Sequence, residues 1–262
     1  MRLDAAAVSV TGGHRRINQD AGFAASWGIG VADGVGGGPA GEIASAALIH
    51  RLVASGSRID DAPSLVARVR GANSDIGAHA RRNPAYKGMA TTFTGLWCGR
   101  EGSLLLAHTG DSRGYLMREG HLMRQTRDDS LVQILVEQGI VREEDAMTHP
   151  RRHMITASLR GDSHDTVRVD ERIAVLGDRW LLCSDGVSDY LPHELLAELV
   201  GLDRTAHQIA EVIVEVALEA GSKDNVTAVI ANVVAGAPDA EPARFSGAAS
   251  EHFRDELDVR AG

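Results

Sequence analysis

The stretch WLLCSDGVSDY, residues 180–190, sets an apolar run directly against one carboxylate, Asp185, and follows it with a second, Asp189. Trp180 to Cys183 has the length and composition of a buried strand. A carboxylate at the end of such a strand is costly unless a cation neutralises it. The same construction recurs on either side. VADGVGGG at 31–38 follows the run Gly28 to Ala32, and HTGDSRG at 108–114 follows Ser103 to His108. INQD at 17–20 and GSKDNVT at 221–227 place two more aspartates at turns. Taken singly, each Asp-Gly or Asp-Ser reads as a turn whose Asp bonds its own backbone. Taken together they read as one shared site, where converging carboxylates repel unless cations hold them. An oxygen-only donor set of this kind suits hard divalent ions such as Mg²⁺ or Mn²⁺, whereas zinc would recruit His or Cys.

Further β-like runs lie at Ala5 to Val10, Thr92 to Cys98, Gly114 to Arg118, Thr166 to Val175 and Val226 to Val234. Helix-period stretches lie at Pro39 to Ala54, Pro63 to Arg82, Leu131 to Gln138, His193 to Val200 and Thr205 to Ala220, with Pro39, Pro63 and Pro192 as start signals. Strands and helices do not alternate one for one, as a doubly wound parallel sheet requires. The pattern predicts an α+β architecture in which antiparallel sheets are covered by helix pairs. No internal repeat is visible. Composition shifts only after Val234, where AGAPDAEPARFSGAAS is rich in Ala, Gly, Pro and Ser. The expected division is a domain over 1–235 and a flexible tail over 236–262, read as frayed in preference to a short docking helix with Phe253 and Leu257 on one face.

The 262 residues, 44% of them hydrophobic, supply a sizeable core. The 36 acidic against 27 basic residues give a formal charge of −9, which opposes binding to nucleic acid or an anionic membrane surface. Cys98 and Cys183 lie in apolar stretches without C-x-x-C spacing and read as buried thiols, not as a disulfide or a zinc site. No signal-peptide pattern or membrane-length apolar run is present, so a cytoplasmic location is expected.

In order and spacing the segments resemble the metal-dependent protein phosphatase family (type 2C, or PPM) in its compact bacterial form. Gly12, Arg15, Asn18, Gln19 and Asp20 meet its opening pattern, and Ala32, Asp33, Gly34, Gly36 and Gly37 meet its Ala-Asp-Gly-x-Gly-Gly. Gly41-Glu42, Thr91-Thr92, Gly110 to Arg113, Thr126 to Asp128, His149-Pro150, Ser184 to Gly186 with Asp189, and Asp224-Asn225 follow. The resemblance implies a four-layer α-β-β-α sandwich and hydrolysis of phosphoserine and phosphothreonine on proteins, opposing a serine/threonine kinase, by a monomer. By the same resemblance Asp33 would bridge two metal ions, Gly34 would lend its carbonyl oxygen, and Asp185 and Asp224 would complete a binuclear Mn²⁺ or Mg²⁺ site. Asp20 would act through water, Asp111 and Asp189 would belong to a third, weaker ion, and Arg15 would hold the phosphate. Arginine suits that last task because its planar fork makes bidentate charge-assisted bonds.

The chain departs from the family in places. Val35 stands where animal members carry His after Asp-Gly, and Gly38-Pro39 where many bacterial members carry another. His14 and His153 are the histidines nearest to family motifs, and each reads first as a surface imidazole. Residues 126–161 match the family's helical flap, in which Arg152-His153-Met154-Ile155-Thr156-Ala157 replaces the usual Arg-Asn-x-Ile-Thr-Arg. That change bears on substrate preference. Two other readings compete: a phosphoprotein-binding scaffold of the same fold, which loss of Asp33, Asp185 or Asp224 would have favoured, and a two-metal nuclease, opposed by the acidic balance.

Overall fold

Trp180 and Leu182 pack into one hydrophobic cluster while Leu181 and Cys183 pack into another, so the WLLC run is a strand buried on both faces. That double burial explains why the run is continuously apolar instead of alternating. The computed structural model describes residues 1–35, 40–54 and 59–252. In chain order the described residues form β1 (Arg2–Val10), β2 (Asp20–Ala25), β3 (Gly28–Asp33), α1 (Gly41–Ala54), α2 (Ala62–Arg82), β4 (Phe93–Cys98), β5 (Ser103–Thr109), β6 (Arg113–Arg118) and β7 (His121–Arg124). There follow α3 (Leu131–Glu137), β8 (Arg168–Ile173), β9 (Arg179–Cys183), α4 (Asp185–Ser188), α5 (His193–Val200), α6 (Ala206–Glu219), β10 (Val226–Val234), β11 (Arg244–Gly247) and α7 (Ala248–Glu251).

Two sheets result, with strand orders β1-β10-β9-β6-β7 and β11-β2-β3-β4-β5-β8. Every registered pair is antiparallel. Between the sheets lie Ile29, Val31 and Leu96 from one side and Trp180, Leu182 and Val229 from the other. Outside the six-stranded sheet, Leu48, Leu52, Leu65 and Ile76 of α1 and α2 pack on Phe23, Phe93 and Trp97. Outside the five-stranded sheet, Leu196, Ile209 and Ile213 of α5 and α6 pack on Leu181 and Ile230. The expected four-layer sandwich is therefore the observed one. Each of these aliphatic side chains contributes about 1.5–3 kcal/mol on burial.

Local chemistry sets the helix starts. Asp61 caps α2 by accepting from the Ser64 N–H at 2.8 Å, with a proline in the first turn. Thr205 and Gln208 close a capping box on α6. The expected signal at Pro39 and the motif positions Gly36 and Gly37 lie outside the described residues, as do Gly38, Phe253 and Leu257. No helix among the described residues is long and apolar enough to cross a membrane. Cys183 is buried, and burial pushes its thiol up to about 12, whereas Cys98 on the other sheet is only partly buried.

One expectation needs correcting. The chain does not leave the fold at 235: β11 pairs with β2, setting Arg244 opposite Ala24 and Gly247 opposite Ala21. Behind it Ala248 and Ala249 are fully buried in the cluster under α1, and the ring of His50 hydrogen-bonds the Ala249 carbonyl at 2.7 Å. A tail rich in Ala, Gly and Pro can still supply a strand edge, because ladder hydrogen bonds come from backbone and small side chains allow close docking. The domain therefore runs at least to residue 252.

Candidate metal centre

Antiparallel register brings the acidic strand ends to one edge of the sandwich. Asp20 opens β2 and Asp33 closes β3, and the two are direct cross-strand partners. On the other sheet, Cys183 at the end of β9 is level with Ala228 of β10 and Arg113 of β6. Asp185, Asp224 and Asp111, two to four residues from those points, therefore emerge at the same edge.

Asp20 ties the sheets together. Its Oδ2 accepts from Ser184 Oγ and from Thr227 Oγ1, both at 2.7 Å and both on the opposite sheet. Its own N–H donates to Asn18 Oδ1 at 3.1 Å. Burial pushes its carboxyl up to about 7, against the two hydroxyl bonds, with the charges of Asp185 and Asp224 adding to the rise. Burial raises Asp33 well above the usual carboxylate range, and Asp20, Asp185, Asp111 and Asp224 raise it further. Asp111 is lifted in the same way, by burial first and then by Asp185, Asp128 and Asp189. Burial and Asp185 bring Asp189 up to about 6. Carboxylates this strained are either protonated or held by cations, and their number and proximity fit cations. One oxygen of Asp185 points the same way, being buried without a hydrogen-bond partner.

The backbone around Asp33 is fixed from three directions. Its N–H donates to Thr92 Oγ1 at 3.1 Å, and its carbonyl accepts from Thr91 Oγ1 at 2.9 Å and from the Thr92 N–H at 2.8 Å. Gly34 donates to the Gln19 carbonyl at 3.0 Å. A Cβ at Gly34 would stand 2.5 Å from the Gly41 backbone and 2.8 Å from the Gln19 carbonyl, so only glycine lets the first turn of α1 approach this closely. Gln19 in turn donates to Glu42 at 3.1 Å.

Arg15 reaches the cluster through Nη2, 2.6 Å from Asp224 Oδ2. Burial works against its charge, and the Asp224 bond with the charges of Asp224, Asp185 and Asp33 overcomes that. Arg113 of the same motif set does a different job: its guanidinium pairs with Asp128 at 2.8 Å and braces β6. The expected site residues Arg15, Asp20, Asp33, Gly34, Asp111, Asp185, Asp189 and Asp224 thus share one edge of the sandwich.

Two flap residues stand closer to the carboxylates than the sequence indicated. Arg152 Nε lies 3.0 Å from Asp189 Oδ2, and His153 Nδ1 lies 3.6 Å from the same oxygen and 3.7 Å from Asp185 Oδ2. The Asp185 carboxylate raises the His153 imidazole above its ordinary value. The replacement of the usual Asn at 153 was the available signal, but a chain separation of more than thirty residues hid its partners. His14 is exposed. Beneath α3 and the 3-10 turn Glu143–Thr148, a cavity of about 770 Å³ opens beside the cluster, lined by Asp111, Asp189, Ser188 and Met147 among others.

No protein-family model matches the chain. Over 227 residues it is 41% identical to the serine/threonine protein phosphatase PstP of Mycobacterium tuberculosis, covering 84% of this chain and 43% of that protein. The chain thus spans less than half the length of that relative. Over 212 residues it is 32% identical to the serine/threonine phosphatase stp of Listeria monocytogenes, covering 76% of this chain and 82% of that one. The crystal structure of the M. tuberculosis PstP/Ppp phosphatase matches with a TM-score of 0.84 and 38% identity, over 90% of this chain and 100% of that one. The catalytic domain of PstP in complex with two manganese ions matches with a TM-score of 0.82 and 38% identity, over 89% and 99% of the two chains.

Proposed function

Because the chain belongs to the PPM family of metal-dependent protein phosphatases, we propose that it hydrolyses phosphoserine and phosphothreonine esters on cytoplasmic proteins, reversing the action of a serine/threonine kinase. The observation that carries this reading is the convergence of buried, mutually repelling carboxylates from both sheets, with the Arg15 guanidinium reaching in to Asp224. Asp33, the Gly34 carbonyl, Asp185 and Asp224 would hold two Mn²⁺ or Mg²⁺ ions, and the two manganese ions in the PstP domain support that count. Asp111 and Asp189, with Asp185, would hold a third and weaker one.

When bound, a pair of such ions supplies Lewis acidity toward phosphoryl oxygens and water acidic enough to deprotonate near neutral pH. Asp20, fixed by Ser184 and Thr227, orients water at the cluster through its other oxygen. Arg15, held on Asp224, would offer its fork to the phosphate oxygens, so that the incoming dianion meets a charge already aimed at the site. The threonine hydroxyls on Asp33 and the packing of Gly34 on Gly41 keep the donor atoms from relaxing apart. The intact donor set leaves nothing to favour a scaffold role.

The test is hydrolysis of a phosphothreonine peptide by protein stripped with EDTA and then resupplied with Mn²⁺. Activity should vanish and return. Arg15→Ala should raise KM about tenfold, with a smaller loss in kcat, as expected for a group that binds phosphate in both ground and transition states. Full turnover by the stripped protein would overturn the proposal.

A further inference from the structure

We infer that His153 is a metal ligand: its Nδ1, together with Asp185 and Asp189, forms a mixed nitrogen–oxygen site that pins the flap to the sheet ends. The inference rests on the phosphatase reading for its third cation, and goes beyond it in naming a nitrogen donor and its consequence for metal choice.

Geometry carries the argument. The three ligand atoms lie within 4.8 Å of one another. The imidazole-to-carboxylate distances of 3.6 and 3.7 Å are too long for hydrogen bonds. They do suit two atoms each about 2.1–2.2 Å from one shared ion, which stand about 3.0–4.3 Å apart. The other oxygen of Asp185, buried and without a hydrogen-bond partner, is left for the neighbouring ion pair, so the two sites would share this carboxylate.

The backbone that carries His153 is fixed. Leu131 N–H donates to the Met154 carbonyl at 2.8 Å, and Thr156 N–H to the Asp129 carbonyl at 2.7 Å. Ser130 and Ile155 form a β-bridge across the same place. His153 is thus held on a short cross-connection between the flap and the loop after β7. Arg152 on Asp189 is compatible with a cation there, because a carboxylate oxygen accepts a guanidinium N–H and a metal on different lone pairs, and such outer contacts orient ligands.

An imidazole changes what the site prefers. Mg²⁺ keeps oxygen donors and water, whereas transition ions accept nitrogen readily. The site should therefore retain Mn²⁺ better than Mg²⁺, and Mn²⁺ should hold the flap against β9 and α4.

The experiment uses the full chain loaded with three equivalents of Mn²⁺ and read by electron spin echo modulation, without substrate. Wild type should show modulation from a coordinated ¹⁴N nucleus, and His153→Ala and Asp189→Asn should each lose it. In His153→Ala the weakest Mn²⁺ should dissociate at least about tenfold more readily, the two tighter ions should be unchanged, and Mg²⁺ affinity should move less than about twofold. The His153 side chain is 51% exposed, so its loss does not threaten the fold. Three bound Mn²⁺ with no nitrogen modulation, or an unchanged third affinity in His153→Ala, would sink the assignment while leaving the phosphatase reading intact. Failure to bind Mn²⁺ at all would sink both.

Discussion

The carboxylate edge and the flap are neighbours built on opposite terms. At the edge, Asp20 is buried and bonded by hydroxyls from the opposite sheet, and Asp33 sits on a backbone held by Thr91 and Thr92. In the flap, α3 buries only Val132, the 3-10 turn after it buries nothing, Ile140 is 67% exposed, and Arg142 pairs with Glu144 and Asp145 in its own turn. Atoms that must meet a transition state within fractions of an ångström are placed on strands that two sheets over-determine. The flap surface that would meet a protein substrate under the proposed function is placed where few contacts resist adjustment.

Asp33→Asn tests the rigid half hardest. Turnover should fall by about a thousandfold or more at any practical Mn²⁺ concentration, since under the proposed function Asp33 would help to hold both ions. Its melting temperature in EDTA should nevertheless rise, because burial and four neighbouring carboxylates already oppose the Asp33 charge. A mutant that melts lower in EDTA would show that the edge is not strained in the way described.

Asp111→Ala probes the seam between the regions, because this residue lines both the carboxylate cluster and the cavity under the flap. Calorimetry should still count two Mn²⁺ ions while turnover drops by about ten- to a hundredfold. If instead stability falls and the folded fraction keeps its kcat, Asp111 merely shapes its turn.

A third measurement needs no mutation. In EDTA the folded chain keeps a proton on Asp20 up to about pH 7, whereas an unfolded Asp releases it near 4. Between those values the folded state binds more protons than the unfolded one, so stability falls as pH rises through the window and levels off above it. The melting temperature in EDTA should be several degrees lower at pH 8 than at pH 5. Saturating Mn²⁺ should remove the decline, since cations then neutralise the ionised carboxylates.

The smallest effect belongs to the flap. Ile140→Ser should leave aryl phosphate hydrolysis within about twofold and stability within about 0.5 kcal/mol. Phosphopeptide KM should shift by about two- to fivefold. An equal loss on both substrates would erase the proposed difference between the two regions.

How much the sequence showed follows the same division. The strand-end aspartates were legible because an apolar run ending in Asp-Gly or Asp-Ser is a local pattern, and the long helices declared their period. β2 was missed, since DAGFAA has small residues where strand propensity is weak, and its burial comes from β11, β3 and α1 around it. α4 is four residues long, too short to display a helical period. The hydroxyl grip of Ser184 and Thr227 on Asp20 joins residues 164 and 207 positions apart, and His153 meets Asp185 only once the flap has folded back. Such contacts belong to topology and leave no trace in spacing.

The docking of β11 along β2 also has a bearing on solubility. β2 is next to last in its sheet, and β11 supplies the outer rail that satisfies its backbone. A chain cut at residue 235 would expose the N–H and C=O groups of an almost wholly apolar strand, a template on which a second molecule could lay a strand of its own. Shortened forms of this protein should therefore cluster before they unfold, and the clusters should grow from the very strand whose first residue is Asp20.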